Sequence, residues 1–180
     1  MKIMPVNALI GLSFIGFLFA SSAQADSVTL NLSARIQAAP CTVNPVLVAG
    51  QPVSLGSLDR GGFQNSGDAD PTWHAFSLDL TNCPAATQKV TATFSGTADS
   101  NDAALFANSA TVAPATNMAV EVSKQNDNGV IISNGSTLTV NVDTPTGTAS
   151  FPLAARMKTP IGNVQGGKVS AVMVVDFTYQ

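Results

Sequence analysis

Apolar side chains at Val28, Leu30, Leu32, Ala34 and Ile36 alternate with polar ones at Thr29, Asn31, Ser33 and Arg35. A period of two places the five apolar groups on one side of an extended strand. The same period returns along the chain. It runs through Trp73–Leu80 (Phe76, Leu78, Leu80), Lys89–Ser95 (Val90, Ala92, Phe94) and Asn117–Lys124 (Met118, Val120, Val122). Further runs are Thr137–Val142 (Leu138, Val140, Val142) and Ser150–Met157 (Phe151, Leu153, Ala155, Met157). The last is Lys168–Gln180, apolar at Val169, Ala171, Met173, Val175, Phe177 and Tyr179. No stretch sustains a helical period for three turns, and Asp99–Ala115 reads as a loop.

Turn residues punctuate these runs at Gly61-Gly62, Asn126–Gly129, Asn134-Gly135, Pro145–Gly147 and Gly166-Gly167. Many short strands with such punctuation predict an all-β sandwich of immunoglobulin type. In the final run Val172 and Val174 oppose Met173 and Val175, so both faces are apolar, as in a central or well-covered strand. That run nevertheless reaches Gln180, leaving no later segment to lie beside it. The sandwich is therefore expected to be one strand short at this end, with a spare strand at Val28 to Ile36.

The first residues are of a different kind. Lys2 precedes an uncharged apolar run of thirteen residues, Ala8–Ala20, and Ala23-Gln24-Ala25 is a small-x-small cleavage pattern. Thirteen residues are too few for a transmembrane helix, which needs about 20. The reading is a bacterial export signal over 1–25, an N-terminal segment over 26–40 and a domain over 41–180, with no membrane span after signal removal. Without Lys2 the chain has 7 basic and 11 acidic residues, a formal charge of −4. No Lys/Arg cluster is present, so neither nucleic acid nor an anionic membrane surface is an expected partner. Charged residues make up only 11%, a balance that suits β-structure with polar, weakly charged faces.

Cys41 and Cys83 are the only cysteines. In an oxidising compartment two cysteines most simply form one disulfide, the alternatives being a metal site or a reactive thiol. A metal would need further ligands, and His74 is the only histidine. Asp68 and Asp70, close to Asp59, lack the spacing of a calcium loop. Gly166-Gly167 precedes a strand rather than a helix, unlike a phosphate loop. Trp73 with Phe63 could form a sugar platform, but a lone tryptophan in a sandwich is expected in its core. No catalytic residues, metal or cofactor are expected, and the chain is read as no enzyme.

The segments SVTLNLSARIQAAPCTV, TWHAFSLDLTNCP, FSGTADS, FPLAARM and DFTYQ, together with Gly167 fourteen residues from the C-terminus, carry a resemblance in order and spacing. The chain resembles the pilins of chaperone–usher fimbriae, most closely the minor or adaptor subunits of type 1 fimbriae. The resemblance implies an incomplete immunoglobulin-like sandwich lacking its last strand, with a groove beside the C-terminal strand at Gly167, Val169, Ala171, Met173, Val175, Phe177, Tyr179 and Gln180. It implies donor-strand complementation, first by a periplasmic chaperone and then, at an outer-membrane usher, by the extension of a neighbouring subunit. Residues 26–40 become the donor extension, with Val28, Leu30, Leu32, Ala34 and Ile36 filling a neighbour's groove. Ala34 departs from the glycine usual there. The implied destination is the cell-surface fimbrium and the implied role structural, in support of adhesion. The competing reading is a glycan-binding tip adhesin or lectin-like module.

Overall fold

A computed structural model describes residues 40–50 and 52–180. Residues 1–25, read above as an export signal, and the alternating segment Val28 to Ile36 lie outside the described residues. Nine strands appear among those described. One sheet contains β1 (Thr42–Val43), β2 (His74–Thr81), β4 (Phe106–Ala107), β5 (Ala119–Lys124), β6 (Asp127–Ile132) and β8 (Ala149–Lys158). The other contains β3 (Lys89–Gly96), β7 (Thr137–Asn141) and β9 (Met173–Tyr179). The six-stranded sheet runs β1-β2-β8-β5-β4, with β6 also on β5; the three-stranded sheet runs β7-β3-β9, and every named pair is antiparallel.

The sandwich core follows from the period-two pattern. Val90, Ala92 and Phe94 of β3 are each 0% exposed, facing Leu80, Phe151 and Leu153 at the same value from the opposite sheet. Phe151 and Phe177 place their rings 5.6 Å apart at 45°, so the aromatic contact spans β8 and β9. The disulfide Cys41–Cys83 joins the residue just before β1 to the second residue past β2. Its 42-residue separation makes it a chain-entropy constraint worth about 4 kcal/mol. A second, smaller cluster gathers Phe63, Ala115, Met118, Met157 and Val164.

Several expectations need correcting. The loop read over Asp99–Ala115 contains β4, whose Phe106, with Leu105, is 1% exposed. The turn placed at Asn126–Gly129 is really Gln125-Asn126, and Asp127–Ile132 pairs with β5 as β6. Trp73 joins neither apolar cluster. It lies half-buried beneath the Arg156 guanidinium, 4.2 Å from its ring centre, with Nε1 donating to the Asn128 carboxamide at 3.2 Å. Arg156 is held in turn by Glu121, which accepts from Arg156 Nε and Lys158 Nζ at 2.6 Å each. β5 is consequently buried on both faces, although Glu121 carries a charge. The final strand is also shorter than its pattern. Residues 168–172 keep the alternation but bond to the 109–115 loop, and regular pairing with β3 begins at Met173.

Removing the disulfide by Cys41→Ala with Cys83→Ala should destabilise the domain by about 2–5 kcal/mol. Denaturant unfolding measures this directly, and an unchanged midpoint would show that β1 is anchored by other contacts.

Candidate functional site

β9 pairs with β3 along one edge, and among the described residues no strand pairs with its other edge. The consequence appears in its side chains. Val169, Ala171, Met173, Val175, Phe177 and Tyr179 point toward the core and pack against it, yet each stays half-buried. The inward residues one strand away, on β3, are fully buried. Two neighbouring strands with the same inward face thus differ in cover, and the inward face of β9 is left partly open. Burial raises the Tyr179 phenol above its ordinary pKa range. The outward side chains Val172 and Val174 are 65% and 54% exposed. Their exposure overturns the expectation of a well-covered strand: among the described residues nothing covers the outer face of this sheet at those positions.

A cleft of about 870 Å³ lies along the 164–170 segment that precedes β9. It is lined by Gly56–Arg60, by the 110–112 and 164–170 segments, and by the apolar side chains of Phe63, Met118 and Met157. Leu55 and Val169 each touch both apolar clusters, so they mark where the two meet. Residues 52–58 form no strand and make no backbone hydrogen bond among the described residues. Of these, Gly56–Leu58 line the cleft, whereas Pro52–Ser54 line a separate hollow against Trp73–Phe76. Charge is sparse. Arg60 Nη1 donates to Gln165 Oε1 at 3.4 Å, and Asp59 caps the 3₁₀ turn Arg60–Phe63 by accepting from Gly61 N at 2.7 Å.

Gly167 stands apart from the groove side chains. A Cβ placed on it would lie 2.5 Å from Ala115 N and Pro114 C. That position needs glycine for close backbone approach: Ala115 N donates to Lys168 O at 2.9 Å and Lys168 N to Ala113 O at 2.7 Å. Gly96 performs the same service where the Val172 carbonyl crosses it. Gln180 prolongs the β9 pairing, its amide donating to Lys89 O and its carbonyl accepting from Gln88 N and Lys89 N.

The remaining sequence candidates have local duties. Asp70, 2% exposed, accepts from Thr72 N at 2.8 Å and lies 3.4 Å from His74 Nε2. Asp68 accepts from Asn65 N at 2.7 Å. Phe63 is buried in the second cluster and Trp73 is covered by Arg156, so the two do not present a shared platform for a sugar. Sequence reasoning missed the cleft floor, because Met118 and Met157 look like ordinary strand-core positions. It also missed Leu55, which stands in a segment without periodicity.

The family described as Fimbrial protein matches residues 30–180. Protein FimG of Escherichia coli is 37% identical over 162 residues, 90% of each chain. The uncharacterized fimbrial-like protein YdeR of the same organism is 36% identical over 163 residues, 91% of each chain. The crystal structure of the P pilus rod subunit PapA superposes with a TM-score of 0.64 at 20% identity, covering 79% of this chain and 100% of that one.

Gly167→Ala should cost roughly 1–3 kcal/mol, since the added methyl must displace backbone rather than a flexible side chain. Equilibrium unfolding would check it, and a neutral result would mean that the 113–115 backbone yields freely.

Proposed function

Because this chain belongs to the fimbrial protein family, we propose that it is a structural subunit of a surface fimbria whose groove beside β9 receives an extended segment from another protein. The observation that carries the reading is the half-burial of Met173, Val175, Phe177 and Tyr179 beside fully buried β3 neighbours. An added strand would meet two needs together. Its inward side chains would cover the exposed halves of these residues, and its backbone would bond the free edge of β9, the β-augmentation mode of recognition.

The occupant is an alternating apolar segment. In the periplasm a chaperone strand serves, and in the fibre the extension of a neighbouring subunit takes its place, with transfer at an outer-membrane usher. The chain's own Val28, Leu30, Leu32, Ala34 and Ile36 perform the same task for the next groove, which makes residues 26–40 an export-dependent connector and 41–180 the receiving domain. The role is architectural rather than catalytic. Its energetics are adequate: burying four large aliphatic side chains at about 1.5–3 kcal/mol each yields roughly 6–12 kcal/mol before ordering costs. Main-chain bonds add about 0.5–1.5 kcal/mol net apiece. Long-lived fibres need no covalent link on this scale.

Leu32→Asp is expected to abolish incorporation of this subunit's extension into a neighbouring groove while leaving its own groove able to accept a strand. Fibre incorporation and chaperone co-purification, measured side by side, separate the two functions. Normal incorporation of the aspartate variant would contradict the donor role.

A further inference from the structure

Asn108 lies in the loop after β4, outside every strand, yet its carboxamide is saturated. Nδ2 donates to Ala115 O and to Lys168 O, both at 2.9 Å. Oδ1 accepts from Ala110 N at 3.1 Å and from Ser170 N at 3.0 Å. A carboxamide has two donor hydrogens and two acceptor lone pairs, and here all four are engaged by backbone. These partners belong to the 108–115 and 167–172 segments that border the cleft and lead into β9.

The location matters because the apolar face of the groove begins before the sheet does. Val169 and Ala171 face the core, but ladder pairing of β9 with β3 starts only at Gly96 and Met173. The lead-in is supported instead by the loop, through Ser109 N to Ser170 O at 2.7 Å and the two Lys168 bonds described above. That loop holds Ala113 at φ 48°, a left-handed conformation that a non-glycine residue keeps only when its surroundings impose it. The Ser109 hydroxyl adds one bond between the segments, to Ser170 O at 3.0 Å, but Asn108 is the side chain that bonds backbone of both, through four contacts.

We propose that Asn108 is a positioning residue for the groove, holding its lead-in in the receptive arrangement and so setting how tightly an extended apolar segment docks. The proposal rests on the strand-accepting reading of the groove. Without the carboxamide, Ser170 N, Ala110 N and Ala115 O lose this shared partner, and the lead-in samples other arrangements. A site that is receptive only part of the time binds more weakly in proportion to that fraction. Preorganisation of an edge is therefore a lever on affinity, separate from the contacts an incoming strand makes.

The test uses the full chain refolded with a fluorescent peptide of sequence Ser27–Gln37. Binding is compared for wild type, Asn108→Ala and Ser136→Ala; the last loses the bond from Ser133 N at the β6–β7 turn, away from the cleft. Asn108→Ala should weaken peptide binding about tenfold, while Ser136→Ala stays within about twofold of wild type. Equal binding by wild type and Asn108→Ala overturns the positioning role but leaves the groove reading intact. Absence of binding to the wild-type chain overturns the groove reading and the proposal with it. Should Asn108→Ala fail to fold, amide exchange in the wild-type chain decides. By reciprocity, bound peptide must slow exchange at Ala110, Ala115 and Ser170, and unchanged exchange there overturns the proposal.

Discussion

An apolar strand at the edge of a sheet leaves two debts at once, half-covered side chains and unpaired peptide groups. β9 has both. Its inward row packs on the core yet stays partly uncovered, and among the described residues no strand pairs with its free edge. Everything else in the domain can be understood as support for that unfinished edge. The six-stranded sheet supplies a closed wall, with β5 buried on both faces and Phe151 meeting Phe177 across the sandwich. The disulfide fixes β1 to the end of β2, and so holds the beginning of the domain to the same wall.

The lead-in to β9 shows how a groove can be kept open without a partner strand. Gly167 and Gly96 permit backbones to cross where a methyl group would collide. Loop 108–115 then takes the place that a β-ladder would otherwise hold. The result is a rigid frame around a deliberately incomplete row, and that frame lets an incoming strand find its bonding partners already in place. The same frame explains why the outer valines of β9 can remain exposed: inward packing and β3 pairing, rather than outer cover, hold the strand.

Period two made β2, β3, β5, β7, β8 and the outline of β9 legible, because alternate residues of each carry the apolar side chains that face the core. Phe106–Ala107 escaped it, since two residues are too few to show a period. β6 escaped because Asp127-Asn128-Gly129 carries turn chemistry yet pairs with β5. Trp73 was misplaced because its position depends on Arg156, some eighty residues away in sequence, stacking on its outer face. The groove side chains were readable as one face of a strand, whereas the cleft and Asn108 were not. They arise from two irregular loops meeting, and composition carries no sign of that meeting. Val172 and Val174 misled for a related reason: apolar residues on both faces indicate cover only when something lies above them.

The central claim is that β9 lacks one strand and that a segment of the Val28-to-Ile36 type supplies it. The direct measurement is the stability of a chain without Ser27–Ile36 that carries a copy of Ser27–Gln37 after Gln180, joined by a short flexible linker. Its guanidinium unfolding is compared with the same chain bearing Leu32→Asp in the appended copy. The account predicts that the intact copy raises stability by roughly 5 kcal/mol or more, as expected for burying several aliphatic side chains, and that the aspartate copy does so far less. Equal stability of the two would contradict it.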